Sequence, residues 1–116
     1  MWTVIFDDEF DVEFSAFPVA VQDGILGKAG LLEMVGPQLQ RPHADHLKAS
    51  AYGNMKELRF KSGGQVWRVA FAFDPDRKAI LLVAGDKQGQ DEKLFYKTLI
   101  ATADRRFARH LRKSAN

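Results

Sequence analysis

The sequence predicts an α+β domain in which helices cover a mainly antiparallel sheet in two layers, in the order β-α-α-β-β-β-α. Three observations predict it. Three apolar, β-branched or aromatic runs lie close together between residues 55 and 85, separated only by short turn sequences, which is the signature of an antiparallel meander. Helical periodicity occupies residues 10–39 and 92–112, on either side of that meander. The chain has 116 residues, so one domain with a single core of modest stability accommodates all of it, residues 1–116.

Each element has its own warrant. "WTVIF" (2–6) is a short strand run, and the acids of "DDEFDVEF" suit a first helical turn, where the macrodipole favours negative charge. From about Phe10 to Leu39 the reading is two helical pieces. Phe10, Phe14, Phe17, Val21 and Leu26 recur near helical spacing, and Leu31, Leu32, Val35 and Leu39 extend the stripe. Pro18 suits a first turn or a kink, and Gly36-Pro37 ends or kinks the second piece. Residues 40–53 read as a loop. "MKELRF" (55–60) alternates as a strand, "SGG" (62–64) is a hairpin turn, and "QVWRVAFAF" (65–73) is the next strand. After the "DPDRK" turn, "AILLVAG" (79–85) is apolar throughout and suits the sheet centre. Leu94, Phe95, Leu99, Ile100, Ala103, Phe107 and Leu111 form the apolar stripe of the last helix.

Composition narrows the function classes. The chain is 46% hydrophobic and 28% charged, which is globular. It has no cysteine, which excludes disulfides and thiolate metal sites and fits a reducing, cytoplasmic setting. No apolar run approaches the roughly 20 residues of a membrane helix, and the N-terminus is acidic where a signal peptide is basic. Net charge is +2 but unevenly spread. Residues 1–34 carry one lysine against seven acids, and residues 86–116 carry eight basic groups against four acids. This predicts one negative and one positive surface, the latter suited to a polyanion.

Period-2 alternation separates the two faces of the hairpin. Trp67, Val69, Phe71 and Phe73 demand the core, with Leu58 and Phe60. Arg68, flanked by small alanines that leave a hollow around it, then falls on the opposite, open face beside Glu57 and Arg59, with Lys87 able to overhang it. Lys56 is the odd member on the greasy face and can snorkel outward. Such a group is either a cross-strand ion pair or an anion site. The arginines outnumber the carboxylate, and guanidinium suits bidentate phosphate binding. Other chemistry is thin. His43 and His46 in "PHADH" lack further ligands for a metal, and there is no nucleophile elbow, phosphate-binding glycine loop or triad. Arg105, Arg109, Arg112 and Lys113 cluster near one face of the last helix, either as a solvated face or as polyanion contacts.

The stretches "PHADHLKAS", "NMKELRF", "WRVAFAFDPDRKAILLVAGDK" and "FYKTLIATADRRFARHL" together resemble the phage-derived, HigB-like branch of the RelE/ParE toxin superfamily. The likeness is close over roughly residues 40–111 and loose before them. It implies a RelE-like fold and a toxin of a type II toxin–antitoxin module. The implied activity is a metal-independent endoribonuclease that needs no cofactor, cuts mRNA on the ribosome and so inhibits translation. The implied partner is a cognate antitoxin of helix-turn-helix type. The superfamily's catalytic arginine falls on Arg68, the basic group ending the last strand on Lys87, and the late tyrosine approximately on Tyr96. Glu57 and Arg59 complete the catalytic set, with Glu57 the best-placed general base and Lys56 or Lys87 the alternatives, and with Lys87 or Tyr96 as the acid. Lys48, Lys56, Lys61, Arg105 and Arg109 are the implied RNA contacts. The acidic first third is expected to face away from the ribosome. Two other readings stand beside this one: a non-catalytic ParE-like toxin that binds DNA gyrase, and a decayed phage-derived binding or regulatory domain.

Overall fold

The computed structural model describes residues 1–115. The elements are β1 (Thr3–Phe6), α1 (Asp8–Ala16), α2 (Val19–Val35), a 3-10 turn (Gly36–Gln38), β2 (Ala44–His46), β3 (Lys56–Ser62), β4 (Gln65–Phe73), β5 (Lys78–Asp86) and α3 (Glu92–Ser114). They form one five-stranded sheet in the order β1-β5-β4-β3-β2. β1 runs parallel to β5, and every other pairing is antiparallel. The α+β class, the meander and the mainly antiparallel sheet are as the sequence predicts. No helix among the described residues is long and apolar enough to cross a membrane.

Local chemistry explains the helix boundaries. Asp7 caps α1, its carboxylate accepting from the backbone N–H of Glu9 and Phe10 at 3.0 and 3.1 Å. Pro18 stands just before α2, where its missing N–H costs nothing. Gly36 ends α2 at φ 72°, and a Cβ there would sit 2.3 Å from the Trp2 indole nitrogen, so both the backbone and the space demand glycine.

Three expectations are corrected. The segment read wholly as a loop contains β2, whose Ala44, Asp45 and His46 pair with Leu58, Glu57 and Lys56. The face expected to be open is covered. α1 and α2 pack one side of the sheet through Phe10, Val21, Ile25 and Leu32 against Leu58, Val69, Phe71 and Leu81. α3 packs the other side through Phe95, Leu99, Ala103 and Phe107 against Met55, Ala70, Ala72, Ile80 and Leu82. The domain therefore has helix, sheet and helix layers. The alanines that looked like a hollow are the floor on which α3 rests. β5 reads as continuously apolar because helices cover both of its faces.

The third correction concerns charge. The acidic first third does not form a separate surface from the basic last helix. Arg106, buried, bridges to Glu13 at 2.5 Å and donates to the Leu82 carbonyl at 2.7 Å. Arg109 pairs with Asp7 at 2.6 Å and also with Glu9. Arg105 reaches Glu9 at 3.2 Å, and Lys113 reaches Asp8 at 2.7 Å. The two charge blocks neutralise each other and clip α1 to α3.

Candidate active site

The site forms where β3, β4 and the first turn of α3 meet. Glu57 and Arg59 are two apart on β3 and so share a face, and Arg59 is directly opposite Arg68 on β4. Two guanidinium groups facing each other across a ladder repel unless an anion stands between them. Glu57 supplies that anion, directly to Arg59 and through the Tyr96 hydroxyl to Arg68. It is 1% exposed, and its carboxylate accepts from Arg59 Nε at 3.0 Å and Nη2 at 2.8 Å. The Tyr96 hydroxyl donates to the same carboxylate at 2.9 and 3.1 Å. That hydroxyl in turn accepts from Arg68 Nε at 2.6 Å. One phenol oxygen thus joins the catalytic candidates of β3 and β4.

Arg68 is held on several sides. Its Nη1 donates to the Val66 carbonyl at 3.2 Å, and its guanidinium lies 5.5 and 5.4 Å from the Phe95 and Tyr96 ring centroids, within cation–π range. Gly85 is the cross-strand neighbour of Arg68 on β5, and a Cβ there would stand 3.3 Å from the Phe95 ring, so glycine lets this ring approach the sheet closely. Glu92 stands 4.0 Å from Arg68 Nη2 and 3.5 Å from Lys87 Nζ, linking Lys87 to the cluster. Arg68 is 8% exposed, so the expectation of an exposed Glu57 and Arg68 on an open sheet face is corrected: α3 roofs them. Arg59 is the guanidinium that reaches solvent, with its side chain 40% exposed.

Proton affinities follow from this packing. Burial pushes the Tyr96 phenol up, and the neighbouring Glu57 carboxylate adds to this, against the pull of both arginines. Tyr96 therefore stays protonated at neutral pH and is a proton donor. Burial works against the charge of Arg59, but the hydrogen bond and charge of Glu57 outweigh it, so the net shift is upward.

A groove of about 340 Å³ opens beside the cluster, lined by His46, Lys48, Glu57, Arg59, Glu92 and Tyr96. Of the other residues expected to touch RNA, only Lys48 lies here. Lys56 is turned to the opposite face, where its ammonium donates to the Leu39 and Pro37 carbonyls at 2.8 and 3.2 Å and burial lowers its pKa. Lys61 is exposed near the hairpin end of β3. Arg105 and Arg109 lie nine and thirteen residues beyond Tyr96, about 14 and 20 Å along the helix axis, and are engaged by Glu9 and Asp7. The structure thus separates them from the cluster. Glu92 and His46 are the groove residues missed from sequence. Glu92 carried a usable signal, since four residues before Tyr96 is the same helix face.

Residues 12–108 match the family described as phage-derived protein Gp49-like. The chain belongs to the Gp49-like family. Two Mycobacterium tuberculosis proteins are similar to this Gp49-like chain. One, provisionally named toxin HigB3, is 49% identical over 82 residues, covering 71% of this chain and 69% of its own. The other, provisionally named toxin HigB2, is 46% identical over 82 residues, covering 70% of this chain but 40% of its own. In structure the chain is similar to the free Escherichia coli toxin RelE, solved as a double arginine-to-alanine mutant. The TM-score is 0.62 at 11% identity, over 86% of this chain and 94% of that one. The likeness to RelE establishes the fold. The HigB-like resemblance read from the sequence agrees with both relatives.

Proposed function

We propose that this Gp49-like chain is the toxin of a toxin–antitoxin module and acts as a ribosome-dependent mRNA endonuclease. The observation that carries the reading is the Tyr96 hydroxyl held between Arg68 and Glu57, at the edge of a groove bearing Arg59 and Lys48. The similar proteins named as HigB toxins supply the biological class.

The chemistry is a transesterification. The 2′-oxygen attacks the adjacent phosphorus and the P–O5′ bond breaks, leaving a 2′,3′-cyclic phosphate and a 5′-hydroxyl. The proton of the 2′-hydroxyl goes to solvent, and the 5′-oxygen takes one from Tyr96. Arg59, half-exposed at the groove, meets the phosphate first. Arg68 Nη2 completes the clamp on the developing phosphorane charge once the exposed Glu92 side chain turns toward Lys87. Glu57 is enclosed by donors and cannot approach the ribose. It serves instead as the positioning residue that fixes Tyr96 and keeps Arg59 and Arg68 apart, which replaces the general-base role expected from sequence. Because the chain supplies a clamp and an acid, orientation of the 2′-hydroxyl is left to the ribosome-bound mRNA.

The test is cleavage of a reporter mRNA on purified translating ribosomes, with ends mapped by primer extension. The wild type cuts within translated codons, Arg68→Ala abolishes cutting, and Tyr96→Phe slows it by about 10²–10⁴, the usual size of an acid–base contribution. Growth arrest without cuts refutes the nuclease, and full cutting by Arg68→Ala refutes the clamp assigned to Arg68.

A further inference from the structure

α2 is apolar on two opposite faces. Val21, Ile25, Ala29 and Leu32 point into the core. On the far side Val19, Leu26, Gly30 and Met34 follow one another at spacings of seven, four and four residues, with Asp23 among them, and Val19, Leu26 and Met34 are 72, 52 and 75% exposed. A surface helix ordinarily carries mostly polar side chains there, and exposed apolar side chains grouped on one helix face mark a surface that becomes covered.

The glycines point the same way. A Cβ on Gly24 would collide with the Phe60 ring at 2.3 Å, so the fold itself demands that glycine. Added at Gly27 or Gly30, a Cβ would meet nothing within 4 Å, and neither residue has a positive φ. Glycine disfavours a helix interior, and nothing inside this domain requires it at these two positions. Bare backbone on an outward helix face lets another backbone approach closely.

Charge selects the occupant. Asp23 lies within this stripe and Glu33 at its edge, and neither makes an ion pair among the described residues. The single cation of α2, Lys28, is turned to His43 Nδ1 at 2.8 Å. A second copy of the chain would set acid against acid, and RNA would meet both acids and an apolar strip. A basic-flanked amphipathic helix fits all three features.

We propose that the outward face of α2, with Gly27 and Gly30 at its centre, is the docking surface for an apolar-faced, basic-flanked helix of the cognate antitoxin. The inference rests on the toxin reading for the partner's identity but not on the nuclease chemistry. It places the antitoxin on the layer opposite α3, so the partner holds the toxin without plugging the catalytic groove.

The test uses the full chain co-expressed with the protein encoded beside it. Growth rescue and a dissociation constant by titration calorimetry are read for the wild type, Gly27→Gln/Gly30→Gln and Asp23→Lys/Glu33→Lys. Both variants should keep the wild-type circular dichroism spectrum and arrest growth when expressed alone. The glycine variant should bind at least 100-fold more weakly and escape rescue. The charge variant should bind about tenfold more weakly at low salt, with the deficit shrinking at 0.5 M. Wild-type affinity in the glycine variant overturns the proposal. So does sedimentation showing that these substitutions abolish self-association while antitoxin binding is unchanged. A wild type that neither arrests growth nor binds the neighbouring protein overturns the toxin reading and this inference together. Arrest and binding by all three forms alike overturn the docking face alone.

Discussion

Replacing Glu57 by glutamine keeps the side-chain shape and removes the anion that pairs with Arg59 and, through the Tyr96 hydroxyl, is linked to Arg68. The carboxylate accepts from Arg59 Nε, Arg59 Nη2 and Tyr96 Oη, all donors, so the new amide must turn its own NH₂ toward a donor. Removing one partner of a fully buried charge pair costs about 3–5 kcal/mol. The 40% exposure of the Arg59 side chain lets it turn to water, which reduces the expected loss to about 2–3 kcal/mol. At about 2.1 cal/mol/K per residue, unfolding 116 residues releases about 0.24 kcal/mol/K, so Tm falls by about 8–12 °C. Thermal unfolding followed by circular dichroism measures this. A double-mutant cycle with Arg59→Gln isolates the pair, with an expected coupling of about 1–2 kcal/mol. A Tm within 2 °C of wild type, or a coupling below about 0.3 kcal/mol, refutes the assignment of Glu57 as the organiser of the cluster.

Three further outcomes are expected. Gly24→Ala should destabilise by about 1–3 kcal/mol through its clash with Phe60, whereas Gly27→Ala should stabilise by up to about 1 kcal/mol, a contrast readable from paired urea melts. Arg106→Ala breaks the bridge to the half-exposed Glu13 and leaves the Leu82 carbonyl without this donor, and should cost about 1–3 kcal/mol in the same assay. Glu9 is held down to about 2, first by its hydrogen bonds to Arg105 and Arg109, and Asp8 is lowered, first by its hydrogen bond to Lys113. A depressed folded pKa contributes stability that is present above the unfolded value and lost as pH falls through the folded one. Tm should therefore hold near neutrality and drop between about pH 4.5 and pH 2, less steeply when Arg105 and Arg109 are both replaced by glutamine.

Much of the site was legible because its logic is local. Glu57, Arg59 and Arg68 follow from two alternating strands and a short turn, for hairpin register leaves little freedom. Tyr96 was harder. A helix can slide or rotate on a sheet, and only the packing of Phe95 beside Gly85 fixes which turn of α3 lies over Arg68. The roof over the site is not legible in the sequence, because Ala70 and Ala72 suggest a hollow beside Arg68 while small side chains are also what allow a helix to pack closely. The pairing of Arg105 and Arg109 is not legible locally, because their partners Glu9 and Asp7 lie nearly a hundred residues earlier.

The sequence by itself determined the class of the fold, the order of its elements apart from β2, the hairpin and the family. These depend on short-range spacing, turn chemistry and residue patterns that are written along the chain. Only the tertiary structure decided which face α3 covers, that the acidic and basic thirds meet as ion pairs, that Lys56 points away from the groove, and that Tyr96 closes the bridge between Glu57 and Arg68. Those outcomes depend on long-range docking, where burial of whole faces outweighs any local preference.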